Sequence, residues 1–111
     1  MKKVFIINSE FFGKGDDELG AKLMGSFLRT LTGLETKPDK LIFYNSGVKL
    51  LAEDSPVLDV LDELEKAGIL FVACGTCVSH FKLDDKIRNE RISNMREIAG
   101  ILTEAEHVVT V

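Results

Sequence analysis

The stretch ILFVACGTC at residues 69–77 contains the two features that organise the rest of the chain. Its first six residues form the longest apolar run in the sequence, and residues 69–73 are typical of a strand buried on both faces of a parallel sheet. Its last four residues are a Cys-x-x-Cys pair, Cys74 and Cys77, which are the only cysteines of the chain. The stretch therefore predicts a buried strand that leads directly into two thiols.

Strand-like runs recur along the chain and alternate with helical patterns. Strands are also predicted at residues 3–8, 41–44, 91–93 and 107–111, and helices over residues 16–34, 55–68 and after Asn94, with short helical turns within 76–89. This alternation predicts an α/β fold with three layers, α/β/α, around a mainly parallel sheet of about five strands, of the Rossmann or flavodoxin-like kind. Residues 1–111 are expected to form a single domain.

Local signals define the helices more closely. In the first helix, Leu19 and Leu23 begin an apolar stripe that continues to Leu31, and a glycine at position 33 is placed to end the helix. In the second, Ser55 is predicted to be the N-cap and Pro56 the first helical residue. In the last, Asn94 and Glu97 have capping-box spacing, with asparagine in the cap position.

Composition and charge exclude several classes of protein. Hydrophobic residues make up 45% of the chain and charged residues 29%, which is incompatible with a disordered protein. The longest apolar run, six residues, is far shorter than the ~20 that a membrane helix needs, and residues 4–7 are too few for the core of a signal peptide. The net charge is −4 and no basic run is present, so nucleic acid is not expected as a partner. We expect a cytoplasmic protein that binds neither nucleic acid nor membranes.

Polar residues and glycines collect in four segments that follow predicted strands, namely residues 9–15, 45–48, 74–79 and 93–94. Ligands of open parallel sheets bind at the carboxyl ends of the strands, near the point where the strand order reverses. These segments are therefore predicted to form the site. The side chains expected to line it are Ser9, Glu10, Asn45, Ser46, Thr76 and His80. Residues 13–18 lack both the third glycine of a dinucleotide fingerprint and the Gly-Lys-Ser/Thr of a P-loop, so no nucleotide cofactor is predicted.

The two cysteines are the chemical candidates of this edge. Thr76 is placed to cap a helix, and the unpaired N–H groups at the start of that helix would favour the Cys77 thiolate and lower its pKa. Cys74, at the end of the apolar run, is either a small core residue or a second reactive thiol. Cys74, Cys77 and His80 also have the spacing of metal ligands, but a structural zinc site needs four and the only other histidine is His107. No metal site is predicted.

Four segments carry a resemblance to a known family: GKGDDELG at 13–20, FYNSGVKL at 43–50, CGTC at 74–77 and SNM at 93–95. In this order and spacing, the chain resembles the DsrE/DsrF-like family of small sulfur-relay proteins. In particular it is similar to the DsrE-like domain of YedF proteins, which are associated with selenium metabolism. Two departures stand out. The 111 residues leave no room for the TusA-like domain that usually precedes this domain, and Ser46 stands where that branch tends to have glycine.

The resemblance implies a doubly wound sheet, assembly into oligomers, and a cysteine after the third strand that carries sulfur as a persulfide. The matching residue is Cys77. We therefore expect a sulfurtransferase-like carrier of sulfur or selenium, with Cys74 helping to release the carried atom. Its partners would be donor and acceptor proteins, TusA-like proteins among them.

Two alternatives belong to other functional classes. One is a thiol–disulfide oxidoreductase that uses Cys74 and Cys77, and the other is a non-catalytic assembly subunit with inert cysteines. A feature independent of the cysteines predicts association of copies. Residues 81–89 are short and charged, which should leave the third layer thin, and a homo-oligomer is expected to cover this side.

Overall fold

The computed structural model describes residues 2–111 and contains one five-stranded sheet. The strands are β1 (Lys3–Ile7), β2 (Lys40–Phe43), β3 (Leu70–Cys74), β4 (Ile92–Ser93) and β5 (His107–Thr110). The helices are α1 (Asp17–Thr32), α2 (Leu58–Lys66), α3 (Gly75–His80) and α4 (Met95–Glu104), and two 3-10 helices span Asn45–Leu51 and Asn89–Arg91. All neighbouring strands pair in parallel, in the order β4-β3-β2-β1-β5. The predicted α/β fold with a five-stranded parallel sheet is confirmed.

The helices cover the two faces of the sheet unequally. One hydrophobic cluster joins α1, α2 and α3 to the sheet and includes Met24, Leu28, Leu61, Leu64 and Val78 together with Ile7, Phe43 and Phe71. A smaller cluster on the opposite face contains Val4, Ile42, Val72, Cys74 and, from α4, Ile98. The third layer consequently consists of α4 alone.

The predicted end of α1 at Gly33 and the predicted start of α4 at Asn94 are confirmed. The Asp16 side chain accepts a hydrogen bond from the Leu19 amide at 2.8 Å and starts α1, and Gly33 is its C-cap. The Asn94 side chain accepts from the Glu97 amide at 2.9 Å and starts α4. Asp16 and Asn94 each supply an acceptor for an N–H group that has no partner within the helix, so short polar side chains define where these two helices begin.

Two local predictions are wrong. The second helix begins at Leu58, not at Pro56, because the Ser55 hydroxyl accepts a hydrogen bond from the Val57 amide at 3.3 Å and closes a turn ahead of the helix. In α1, Leu19 and Leu23 are exposed, since the buried side of the helix is formed by Gly20, Met24, Leu28 and Leu31. A Cβ atom at Gly20 would meet the Phe11 Cβ at 2.8 Å, so glycine at this position lets the buried side of α1 approach the 11–12 segment closely.

The prediction that residues 81–89 leave the third layer thin is also wrong. Within residues 81–89, Ile87 is buried in the large cluster beneath α1, α2 and α3. The Lys86 carbonyl accepts from the Glu53 amide at 3.0 Å and fastens the segment to that same side. The thin layer is on the α4 side instead. Association of copies stays a prediction.

A buried arginine fastens β4, a strand at the edge of the sheet. Arg91 is 2% exposed, and its guanidinium donates to Asp62 and Glu65 of α2, with N–O distances of 2.8 Å to each. It also lies over the ring of Phe71, 5.1 Å from the centroid. The hydrogen bond from Arg91 is the main reason why the pKa of Glu65 lies below its ordinary value. These contacts compensate the buried charge from several sides.

Candidate functional site

The connections after β3 and β4 leave the sheet towards opposite faces. Val78 of α3 packs in the cluster on the α1 and α2 side, whereas Ile98 of α4 packs on the other face. The two strands are neighbours, with Cys74 paired to Ser93 at their carboxyl ends. Adjacent parallel strands whose connections diverge in this way define a topological switch point, the usual place for a ligand site in an open α/β sheet. Both cysteines lie at this point.

A glycine allows the two connections to lie this close. A Cβ atom at Gly75 would stand 2.6 Å from the Ser93 carbonyl oxygen, closer than real Cβ contacts come. Glycine at position 75 therefore lets α3 begin directly against the end of β4. The thiols are held at the edge of the sheet by this contact between backbones.

The two thiols differ in exposure. Cys74 is 1% exposed and is the N-cap residue of α3, while Cys77 is partly exposed and contacts both hydrophobic clusters. Both are free thiols. The prediction that Thr76 caps this helix is wrong: Thr76 lies inside α3 and is exposed, because the chain turns into the helix directly after β3. Cys77 is the thiol that a second molecule reaches more easily.

The segment after β2 supplies a hydrogen-bond donor to Cys77. The backbone N–H of Asn45 donates to the Cys77 Sγ at an N–S distance of 3.0 Å. Asn45 has a φ of +51°, and its side-chain Oδ1 accepts from the Ser46 amide at 2.9 Å. Two residues later, a Cβ atom at Gly47 would stand 2.1 Å from the Ile7 carbonyl oxygen, so only glycine fits there. The donor thus belongs to a loop that is pressed against β1.

The predicted lowering of the Cys77 pKa is contradicted. Burial is the largest influence and raises the pKa of Cys77 above its ordinary value, and the neighbouring Cys74 thiol raises it further. The hydrogen bond from the Asn45 amide acts in the opposite direction but does not prevail. The helix that was expected to favour the thiolate is only six residues long, and Cys77 sits in its third position.

The remaining predicted residues form a polar cluster beside the thiols. The Ser46 hydroxyl accepts from the Glu10 amide at 3.2 Å, and the Glu10 carboxylate pairs with Lys49 at 3.5 Å. The Ser9 hydroxyl accepts from the Phe11 amide at 3.0 Å and shapes the first loop. The structure therefore brings together the segments after β1, β2 and β3.

His80 contacts a neighbouring aromatic ring. Its exposed ring packs edge to face on Phe81, with the ring centroids 5.0 Å apart. Within residues 2–111, no group of three or more histidine, cysteine, aspartate or glutamate side chains is arranged to hold a metal ion.

Sequence reasoning missed two residues that stand beside this edge. The Lys49 ammonium lies over the ring of Phe81, 4.5 Å from its centroid. Together with the hydrogen bond from Asn45 to Cys77, this contact joins the 45–51 helix to α3 and to Phe81, which directly follows α3. The contact between Lys49 and Phe81 joins segments that are distant in the chain, so no sequence signal reveals it.

The fold and the site together define a small α/β protein with a pair of thiols at the switch point of a parallel sheet. The chain belongs to the DsrE/DsrF-like family, whose sequence model matches residues 1–111. This family is known for sulfur relay. No curated protein sequence matches the chain significantly.

Solved structures share the fold over nearly the whole chain. A protein of unknown function, MTH1491 from Methanobacterium thermoautotrophicum, is 26% identical with a TM-score of 0.71, over 99% of this chain and 98% of its own. The ychN protein from E. coli is 16% identical with a TM-score of 0.72, over the full length of both chains. BT1422 from Bacteroides thetaiotaomicron, a conserved protein of unknown function, is 18% identical with a TM-score of 0.67, over 99% of this chain and 95% of its own.

Among residues 2–111, no helix has the length and apolar character needed to cross a membrane.

Proposed function

We propose that the protein is a sulfurtransferase-like carrier that holds sulfur as a persulfide on Cys77. The observation that supports this most strongly is the environment of the Cys77 Sγ. Cys77 is partly exposed at the switch point, its Sγ accepts a hydrogen bond from the Asn45 amide at 3.0 Å, and it lies beside a second free thiol. Membership in a family known for sulfur relay agrees with this assignment.

Loading is a displacement at sulfur. After the Cys77 thiol gives its proton to solvent, its thiolate attacks the outer sulfur of a donor persulfide. A new S–S bond forms to Cys77, the S–S bond of the donor breaks, and the donor leaves as a thiolate. Unloading is the same reaction with an acceptor thiolate as the attacking group. No oxidant is consumed in either direction.

The raised pKa of Cys77 suits a protein that holds its cargo. A thiolate of higher pKa is a stronger nucleophile and a poorer leaving group. Once loaded, Cys77 therefore gives up its outer sulfur less readily to passing thiols than a more acidic cysteine would. Loading in turn depends on deprotonation and should accelerate as the pH rises towards the pKa of Cys77.

We infer that Cys74 discharges the carrier. If its thiolate attacks the Sγ of a loaded Cys77, a Cys74–Cys77 disulfide forms and the outer sulfur leaves as hydrosulfide. An external dithiol then reduces the disulfide to restore both thiols. Because Cys74 is 1% exposed, it reaches Cys77 more easily than it reaches a second protein.

The wider assignment rests on the sequence resemblance. The segments at residues 43–50 and 74–77 resemble the DsrE-like domain of YedF proteins, which favours a cytoplasmic role in sulfur relay or selenium metabolism. Selenium would be carried by the same displacement, as the selenium analogue of the persulfide. The partners are donor and acceptor proteins, TusA-like proteins among them, and copies of the chain associate into a homo-oligomer.

Mass spectrometry tests the carrier directly. The protein is incubated with a small-molecule persulfide donor, and its intact mass is measured before and after a mild reductant. We expect an added mass of one sulfur atom that the reductant removes, that persists in Cys74→Ala and that is absent from Cys77→Ser. A loss of two hydrogen masses in the wild-type chain, with no adduct on Cys74→Ala, would identify a thiol–disulfide oxidoreductase instead. If the mass does not change, the cysteines are inert and the protein is an assembly subunit.

A further inference from the structure

We propose that Asn45 is the positioning residue of this site: its left-handed backbone directs an N–H group at the Cys77 Sγ and stabilises the thiolate that forms when the carried sulfur leaves. The inference deepens the proposed function, on which its role in sulfur transfer rests. The contact itself, an N–S distance of 3.0 Å, is independent of that function.

The backbone conformation of Asn45 is unusual for a residue with a side chain. Its φ is +51°, and among residues 2–111 only one other residue besides glycine, Lys82, has a positive φ. Asparagine, aspartate and glycine adopt this region more readily than other residues do. Of Asn45 and Lys82, Asn45 is the one whose amide contacts a thiol. Such departures cluster at functional sites.

Three contacts hold the loop in this conformation. The Asn45 Oδ1 accepts from the Ser46 amide, and the Ser46 hydroxyl accepts from the Glu10 amide. Gly47 lies against the Ile7 carbonyl with no space for a side chain. The donor is therefore fixed by contacts with β1 and with the loop that follows it, before any partner arrives.

A fixed donor at this position acts on the leaving group. When an acceptor thiolate attacks the outer sulfur, the electron pair of the breaking S–S bond moves onto the Cys77 Sγ. Negative charge develops on the atom at which the Asn45 N–H already points, so no reorganisation is needed during the reaction. Charge-assisted hydrogen bonds are stronger than neutral ones, so the contact strengthens as the sulfur leaves. Consistent with this, the Asn45 amide opposes the burial that raises the pKa of Cys77.

Two substitutions at position 45 separate the amide from the side chain. Asn45→Gly keeps the N–H group and readily adopts a positive φ, whereas Asn45→Val keeps the N–H group but disfavours that conformation. Both are made in the full chain with Cys74→Ala, so that Cys77 is the only thiol. The measurements are the pH profile of Cys77 alkylation and the rate at which a loaded Cys77 passes its sulfur to dithiothreitol.

We expect Asn45→Val to raise the apparent pKa of Cys77 by about 1, which is roughly a tenfold smaller thiolate fraction below that pKa. Discharge to dithiothreitol should slow by about threefold, because a thiol of higher pKa is a poorer leaving group and the rate depends only fractionally on that pKa, and Asn45→Gly should restore both values towards those of Asn45. If Asn45→Val lowers only the thermal stability and leaves the pH profile unchanged, the positioning role is wrong. Should this variant fail to fold, Asn45→Ala replaces it with the same criteria.

The two proposals fail in different ways. Alkylation does not require sulfur loading, so a shifted pH profile in a protein that never accepts sulfur would retain the hydrogen bond as a stabiliser of the Cys77 thiolate and overturn its role in transfer. An unchanged profile in a protein that loads normally would overturn the role of Asn45 alone.

Discussion

Arg91 and Cys77 both bring a polar group into the protein near the junction of β3 and β4, and their surroundings differ in kind. The guanidinium of Arg91 meets two carboxylates and an aromatic ring, and its charge is compensated from several sides. The Sγ of Cys77 receives one N–H group, from a residue in a left-handed conformation, and lies beside another thiol.

The contrast separates a structural polar cluster from a chemical one. A fully paired buried group contributes to a defined fold and has little left to offer a ligand. The Cys77 thiol accepts one hydrogen bond, from the left-handed backbone of Asn45, and lies at the switch point of the sheet. A nucleophile in such surroundings retains the capacity to react. We therefore assign Arg91 to the fold and Cys77 to function, and substitutions near each should affect different properties.

The largest effect is expected at Gly47, where the loop of the thiol site meets β1. In Gly47→Ala the new Cβ atom would stand 2.1 Å from the Ile7 carbonyl oxygen, a backbone atom that cannot rotate away. We expect a loss of about 3 kcal/mol in the free energy of unfolding, the upper part of the range for overpacking, measured by urea denaturation. Because the loop must shift, the pH profile of Cys77 alkylation should shift as well.

Gly100→Ala is the matched control. Gly100 lies in α4 with no atom within 4 Å of an added Cβ, so alanine should leave stability unchanged or raise it by up to about 1 kcal/mol. If Gly47→Ala behaves like this control, the close approach of the loop to β1 does not hold the site.

A smaller effect is expected at Arg91, and on stability alone. Arg91→Ala removes the ion pairs to Asp62 and Glu65, whose side chains are 45% and 35% exposed. Since water can partly solvate the abandoned carboxylates, we expect a loss of about 2 kcal/mol, below the range for breaking a fully buried pair. The alkylation rate of Cys77 should not change.

Arg88→Ala provides the comparison, because Arg88 contacts the same two carboxylates from a half-exposed position. Its loss should be under about 1 kcal/mol. An altered Cys77 rate in Arg91→Ala would show that the two clusters are coupled and that our division between them is wrong.

The comparison of these two regions also shows how much of the fold and of the site the sequence predicts. The sequence predicted all five strands, the two-residue β4 among them, and the capping side chain of Asn94 is a local signal that the structure confirms. The thiol pair and the segment containing Asn45 were also placed at the correct edge of the sheet, because parallel topology brings strand ends together.

What the sequence could not predict depends on distant neighbours. The contact of Gly47 with Ile7 and that of Gly75 with Ser93 join segments far apart in the chain. The direction of the Cys77 pKa depends on burial and on the adjacent Cys74, two properties of the packed site. The local expectation, based on a helix start, therefore had the wrong sign.

The central claim, that Cys77 is the reactive thiol and Cys74 its buried neighbour, is tested most directly by the order in which the two are alkylated. Native protein is treated with iodoacetamide across a range of pH, and each cysteine is quantified by peptide mass spectrometry. We predict that Cys77 is modified first, at least about tenfold faster, because Cys74 reacts only when the structure opens locally. The rate at Cys77 should rise with pH to an apparent pKa above the ordinary thiol value. Modification of Cys74 before Cys77 would contradict the account.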